Sequence, residues 1–294
     1  MKEQQFHILD TYQNFEDYWS RTSSVTIEEQ IHSWQTSYMN KYPELLEKQV
    51  QCYKNENMDW QEIARKVFPT FPVRLQLMRK ARNNILNSYQ AICKQASEKL
   101  GIDFGIILVV YVGIGCGAGW ATKYDGKPAI LLGLENIAEE NWHTKTRLRG
   151  LISHEIGHLI HMKWRGEWGE AFEDKEKDPL FLLYSEGFAQ RCEHLINEKE
   201  TWHMAPDKEW LYWCIQNKSW LAEEFLSRLS SHNSVKDFFG SWFDIQGKKQ
   251  AGYFLGHAFI CELEKAYSLG EIALLRVEDI RQLALRYLNS ASTN

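Results

Sequence analysis

Apolar residues recur every three or four positions through most of the first hundred residues, which is the period of an amphipathic helix. This pattern predicts helices at 43–55, 60–68 and 74–100, and the proline-containing stretch FPTFP separates the last two. We therefore expect residues 1–100 to form an N-terminal helical region.

The pattern changes at Gly101. The stretch FGIILVVYVG is β-branched and aromatic, which predicts a buried strand, and GWATKYDGKPAILLGLE predicts a hairpin. Asp125 and Gly126 supply the positive φ angles that the hairpin turn requires. Thr144 is the expected N-cap of a helix that continues to about residue 164.

The rest of the chain is again helical in pattern, after one charged segment. GEWGEAFEDKEKDP predicts a surface loop, and helices are expected over 180–197 and onward to about residue 288. Helices, a small sheet and then helices indicate an α+β fold. We expect three segments, at residues 1–100, 101–200 and 201–294.

Composition narrows the function classes. At 294 residues, 44% apolar and 25% charged, the chain has the composition of a globular protein. A net charge of −5 without a basic run argues against a nucleic-acid partner. We expect neither a secretory leader nor a membrane span, because no apolar stretch is suitable for either. Six scattered cysteines without a CxxC pair favour free thiols and a cytoplasmic location.

The stretch LISHEIGHLIH contains the pattern HExxH. On a helix, His154 and His158 lie about 40° apart with a rise of about 6 Å, so both can place a ring nitrogen on one ion. Glu155 lies about 100° round from His154, which lets it reach a metal-activated water without being a ligand. Zinc hydrolysis requires this arrangement.

The same residues allow an interpretation without metal, and they raise the question of whether His161 is a third ligand. His154 and His158 would otherwise be core histidines bonded to backbone, with Glu155 paired to Arg147. His161 lies about 10 Å along the axis from His154, too far to share an ion with the pair on one straight helix. We expect it either to support a ligand from outside the metal site or to be structural.

The third ligand is suggested by LLYSEGFAQRCEH. HEIGH followed by SEGFA resembles the gluzincin metallopeptidases, whose third zinc ligand is a glutamate on the next helix. The M1-type aminopeptidases of that group carry a similar NEGFA stretch. The resemblance covers roughly residues 105–195 in layout and about ten residues in motif. It implies a zincin-like core, a small twisted sheet over the active-site helix, with residues 201–294 completing the cleft.

The resemblance implies one Zn²⁺ per chain, held by His154, His158 and Glu186, with Glu155 as general base. There are departures from the gluzincin pattern. The gap between His158 and Glu186 is longer than usual, which implies an inserted loop at 165–178.

Two departures concern the helix that carries Glu186. Ser185 replaces the common asparagine, and Gln190 stands where thermolysin-like members have an aspartate that orients the first histidine. We expect Gln190 or Glu193 to take the place of that aspartate.

Several stretches before the HExxH motif are candidates for binding a substrate. Residues 117–122 or 129–134 are candidates for an edge strand to which an extended substrate adds. GLEN resembles the GxMEN stretch with which M1-type aminopeptidases hold a substrate's amino terminus, so Glu135 is either that group or a strand-end carboxylate. The alternating glycines from 113 to 119 lack the following Lys-Ser/Thr of a phosphate loop.

A donor for the oxyanion is expected late in the chain. QAGYFLGHAFICELEKAY places Tyr253 and His257 four apart, and it resembles the Tyr-x-x-Gly segment of some predicted zinc-dependent proteases. We expect Tyr253 to be the donor and His257 its substitute. The alternative is a tyrosine that only packs beside Gly256.

These patterns favour a zinc metallopeptidase that hydrolyses peptide bonds in peptide or protein substrates, with endo- and aminopeptidase action both open. A second hypothesis is a catalytically silent zincin-fold protein that binds metal and a peptide or protein partner. A third is a helical interaction protein without metal. The sequence does not indicate an oligomeric state.

Overall fold

The structure, a computed structural model, describes residues 6–293. The described chain is mostly helical with one small mixed sheet, so the predicted α+β class is confirmed. It divides into two compact units, one formed by residues up to 97 together with 101–152, the other by 98–100 together with 153–294. The three segments expected from the sequence stay a prediction.

The first unit contains the sheet, six α-helices and the beginning of a seventh, which continues into the second unit. In chain order its elements are β1 (His7–Asp10), α1 (Tyr12–Thr22), α2 (Ile27–Ser33), α3 (Pro43–Asn55), α4 (Trp60–Val67), α5 (Phe71–Leu100), β2 (Ile107–Tyr111), β3 (Trp120–Tyr124), β4 (Lys127–Gly133) and α6 (Leu134–Glu139). The predicted helices at 43–55 and 60–68 are confirmed, and the third begins three residues earlier than expected.

The described part of the second unit is built from helices, their connections and one isolated β-bridge, and α7 (Lys145–Arg165) enters it from the first unit. Its further helices are α8 (Glu170–Glu176), α9 (Pro179–Asn197), α10 (Lys208–Gln216), α11 (Lys218–Ser230), α12 (Lys236–Phe239), α13 (Ala251–Leu263), α14 (Leu269–Ala273) and α15 (Val277–Ser292). Within residues 6–293, none of the helices combines the length and the apolarity that crossing a bilayer requires.

The sheet has the strand order β1-β2-β4-β3, with β3 antiparallel to β4 and the other pairs parallel. The predicted strand and hairpin are confirmed, and Asp125 and Gly126 have φ angles of 51° and 68° in the turn. The prediction that 129–134 is an edge strand is wrong, because β4 pairs on both sides. β3, which overlaps the other candidate, is an edge. The pattern does not predict β1, since four residues are too few to show a period.

The glycine run between β2 and β3 folds onto a buried carboxylate of the protein itself. Glu135 is fully buried, and its oxygens accept hydrogen bonds from the backbone N–H groups of Gly113 at 2.8 Å and Gly115 at 3.1 Å. A Cβ on Gly113 would lie within 2.9 Å of Glu135. The glycines therefore bind a carboxylate instead of a phosphate, and Glu135 has the geometry of a structural acid.

Glu135 makes the first unit's stability pH-dependent. Burial raises the pKa of Glu135 from 4.5 to about 7, and the loop N–H groups only partly offset this. The folded chain then binds a proton that the unfolded chain releases, so stability falls as pH rises through this window. The difference in unfolding free energy between Glu135→Gln and wild type should therefore move in the variant's favour by roughly 3 kcal/mol from about pH 4.5 to about pH 8. Urea titrations of both metal-free proteins measure it; a difference that is constant with pH contradicts the assignment.

The charged segment before α9 is not a plain loop. It contains α8, whose Phe172 is fully buried and packs edge-on against His161 at 5.0 Å and Phe181 at 5.6 Å between ring centroids. The prediction of a surface loop is therefore wrong for residues 170–176, since the two ring contacts of Phe172 hold this turn against the protein although the charges around it are typical of a loop.

Candidate metal centre

Helix α7 carries the HExxH motif. It begins directly after Thr144, as predicted, and the Thr144 hydroxyl accepts the backbone N–H of Arg147 at 3.4 Å. His154, Glu155 and His158 are all buried. Buried ionisable side chains need polar partners, and Glu186 on α9 is such a partner for both histidines.

Small residues set the helix spacing around the motif. A Cβ on Gly157, the glycine of HEIGH, would lie 2.8 Å from the Cα of Ala189, so α7 and α9 approach there with their backbones nearly in contact. A Cβ on Gly187 would overlap the carbonyl of Gly256, so α9 and α13 meet in the same way. These close approaches explain the glycines of HEIGH, SEGFA and the Tyr-x-x-Gly segment.

Close packing brings the three predicted ligands together. Glu186 Oε2 lies 3.1 Å from His154 Nε2 and 3.4 Å from His158 Nε2, and the three ligand atoms lie within 4.8 Å of one another. Two imidazole nitrogens and one carboxylate oxygen are one of the donor sets found in catalytic zinc sites. Other transition metals also bind such sets, so the donors fit zinc without being specific to it.

The charges in this group are strongly coupled. Burial, reinforced by the neighbouring His158, lowers the pKa of His154 to about 4, although Glu186 acts in the opposite direction. Burial also opposes the charged form of His158, but the Glu186 carboxylate outweighs it and raises the pKa of His158 to about 9. In the metal-free chain, His158 and Glu186 therefore form a buried ion pair, whose proton must leave when a metal binds.

Tyr253 and Glu155 lie with the ligands. The Tyr253 ring centroid is 5.3 Å from that of His154, one of the three predicted ligands. Burial, together with the charges of Glu186 and Glu155, raises the pKa of Tyr253 well above its ordinary value, so the phenol stays protonated as a donor. Glu155 follows His154 directly in the chain and is buried, and its charge raises the pKa of both Tyr253 and His158, so its carboxylate lies within electrostatic reach of the ligands.

His257 lies away from the cluster. Its ring packs against His194 at 4.4 Å and Trp202 at 5.2 Å between centroids, and its Nε2 is 3.5 Å from Cys261 Sγ. Tyr253 and His257 lie on the same face of α13, but the four residues between them correspond to a rise of about 6 Å along the helix axis. The structure therefore does not bring this predicted substitute donor to the ligands.

His158 has a carboxylate behind it that sequence reasoning missed. Ser185 Oγ lies 3.5 Å from His158 Nδ1 and donates to Glu176 Oε1 at 2.7 Å. Glu176 is on α8, inside the segment that the long His158–Glu186 spacing marks as an insertion. The long gap between His158 and Glu186 indicates additional structure in this segment. Because we predicted a loop there, we did not expect a helix that places a carboxylate near His158.

His154 also faces a carboxylate. Glu193 Oε2 lies 4.0 Å from His154 Nδ1 and accepts a hydrogen bond from His203 Nδ1 at 2.7 Å. Gln190, the other candidate from the sequence, donates instead to the Thr201 carbonyl at 2.7 Å. His203 lies between α9 and α10, and no spacing in the sequence links it to the motif.

Two further details complete the site. Burial opposes the ionised form of Glu193, yet the neighbouring His203 and His154 hold the pKa of Glu193 below its ordinary value. Of its two expected parts, His161 has the structural one: its Nε2 lies 3.2 Å from the Tyr184 hydroxyl, and its ring stacks on Phe188. Burial lowers the pKa of His161 well below its usual range, so this histidine is neutral.

No family model, curated protein or solved structure matches this chain. The assignment of the site therefore depends on the geometry of its residues.

Proposed function

We propose that this protein is a zinc-dependent metallopeptidase of the gluzincin type, with a zincin-like core, acting on peptides or proteins. The observation that carries the proposal is the convergence of His154, His158 and Glu186 within 4.8 Å, on the helices α7 and α9. A buried carboxylate at Glu155, next to His154 in the chain, and the Tyr253 ring packed on that of His154 favour catalysis over a purely structural site. The six cysteines, none in a disulfide, support a reducing compartment such as the cytoplasm.

The three ligands would hold the ion and leave one position open. Zinc bound there would act as a Lewis acid that lowers the pKa of a water molecule and polarises the scissile carbonyl. Glu155 would accept the proton of that water at its carboxylate and return it to the leaving amine. The burial of Glu155 excludes bulk water from this proton transfer.

Tyr253 would stabilise the oxyanion that develops on the substrate. Its phenol is held protonated beside the ligands, so it can donate a hydrogen bond to negative charge in the transition state. We expect Tyr253→Phe to lower kcat by about 10²-fold or more while the zinc content stays at wild-type level, because the lost hydroxyl is not a ligand. Steady-state kinetics and elemental analysis of the same preparations check both parts. Unchanged turnover would remove Tyr253 from the mechanism.

The proposal is tested by incubating the purified protein with a peptide library and identifying products by mass spectrometry. Cleavage that is lost on chelation and restored by zinc is the expected result. Bound zinc without cleavage of any library member would favour the silent metal-binding protein instead. A chain that takes up no zinc after reconstitution would favour the helical interaction protein.

A further inference from the structure

We propose that Glu193, held in place by His203, is the positioning residue for the zinc ligand His154. This inference rests on the proposed function, since it assigns the group that orients one of its ligands. Of the two positions expected from the sequence, four and seven residues after Glu186, the geometry favours the second, Glu193.

The geometry of α9 explains why Glu193 takes this part. Seven residues make nearly two turns, so Glu186 and Glu193 share one face of the helix with a rise of about 10 Å between them. The His154 ring lies between the two carboxylates. Its Nε2 is 3.1 Å from Glu186, and its Nδ1 is 4.0 Å from Glu193. Each ring nitrogen therefore faces its own carboxylate.

Two buried polar atoms in this group have no hydrogen-bond partner within the described chain, His154 Nδ1 and Glu193 Oε1. Unpartnered polar atoms in a buried site are costly. A metal ligated at Nε2 leaves the proton of His154 on Nδ1, and ligating histidines nearly always donate that proton to a carboxylate or carbonyl. A movement of about 1 Å would bring Nδ1 and the Glu193 carboxylate to hydrogen-bonding distance.

His203 keeps the Glu193 carboxylate where it is. The side chain of Glu193 is fully buried, and its Oε2 accepts from His203 Nδ1 at 2.7 Å. A buried carboxylate without a partner would move to solvent or take up a proton. The hydrogen bond from His203, in the α9–α10 connection, therefore allows Glu193 to stay ionised next to His154.

The same atoms admit a rival interpretation. Ligand atoms of His154, Glu193 and His203 also lie within 4.8 Å of one another, as a second metal site bridged by His154 would require. In that site both ring nitrogens of His154 would bind metal and no proton would remain on Nδ1. The two interpretations differ in metal stoichiometry and in the state of this nitrogen.

The test measures zinc affinity by competition with a chromophoric chelator, without any peptide substrate. We expect Glu193→Met, which removes the acceptor at similar volume, to weaken zinc binding by about 10- to 100-fold. Gln190→Met is the matched control, since Gln190 is equally buried on α9 but bonds Thr201, and it should bind zinc as wild type does. The zinc affinity of His203→Phe should lie between those of Glu193→Met and Gln190→Met.

A second measurement separates positioning from general damage. In zinc-loaded, nitrogen-15-labelled protein, the Nδ1–H of His154 should give a slowly exchanging signal in wild type and in Glu193→Gln, which keeps an acceptor. It should be absent in Glu193→Met. The Gln variant should recover most of the lost affinity, and melting of the metal-free proteins shows whether each variant folds.

Each other outcome overturns the inference. Wild-type zinc affinity in Glu193→Met would show that Glu193 orients nothing, while the proposed peptidase would stand. Two zinc ions per chain would establish the bridged site. If wild type bound no zinc, both this inference and the proposed function would fall.

Discussion

Glu155→Gln should lower kcat/KM for peptide cleavage by about 10³-fold or more, because glutamine keeps the size of the side chain but accepts no proton at neutral pH. The zinc content should stay at wild-type level, since Glu155 is not among the side chains whose ligand atoms converge. The buried position of Glu155 makes this isosteric change the appropriate one, because a truncation would open a cavity beside the ligands. Cleavage of a library-derived peptide, followed by chromatography, measures the loss.

The matched control is Glu170→Gln, the same chemical change at an exposed position of α8. It should retain wild-type kinetics. Zinc content and melting temperature should be equal in the two variants, so that a difference in rate reports the proton transfer alone. If Glu155→Gln cleaved peptides at the wild-type rate, Glu155 would not be the base.

The second large effect that we expect is the loss of zinc from variants that lack one of the three ligands. His154→Ala and Glu186→Ala each remove one of three ligands, so zinc affinity should fall by more than the roughly 10- to 100-fold that loss of an outer partner costs. Elemental analysis after dialysis should find about one zinc per chain in wild type and far less in both variants. Either variant retaining one zinc per chain would contradict the three-ligand site.

His257→Ala is the control for this experiment. It removes a histidine of the same helical unit that packs on His194 and Trp202, apart from the ligands. Its zinc content should equal that of wild type. Loss of zinc from His257→Ala as well would mean that the second unit tolerates no histidine replacement, and the ligand assignment would then need metal spectroscopy.

The parts of the site that the sequence predicts are those set by local geometry. The four-residue spacing of His154 and His158 places both on one helical face, and Glu155 follows from the same period. The hairpin turn at Asp125 and Gly126 is equally local, because two residues that tolerate positive φ decide it. Such features need no knowledge of the rest of the chain.

The parts that the sequence misses depend on contacts between distant segments. β1 exists because it pairs with β2, a hundred residues away, and α8 forms because Phe172 packs on His161 and Phe181. Glu186 lies between these two classes of feature. The resemblance to gluzincins predicts it as a ligand, but only the packing of α9 on α7 shows that it lies beside the two histidines.

By itself, then, the sequence determined the α+β class, the helix that carries HExxH and the chemical character of its three ionisable groups, because these depend on period and spacing along one element. The tertiary structure decided which carboxylates face the histidines, that Tyr253 and not His257 lies beside them, and why glycines stand at 157, 187 and 256. Those outcomes depend on how closely helix backbones approach, and no local pattern records the distance between two helices.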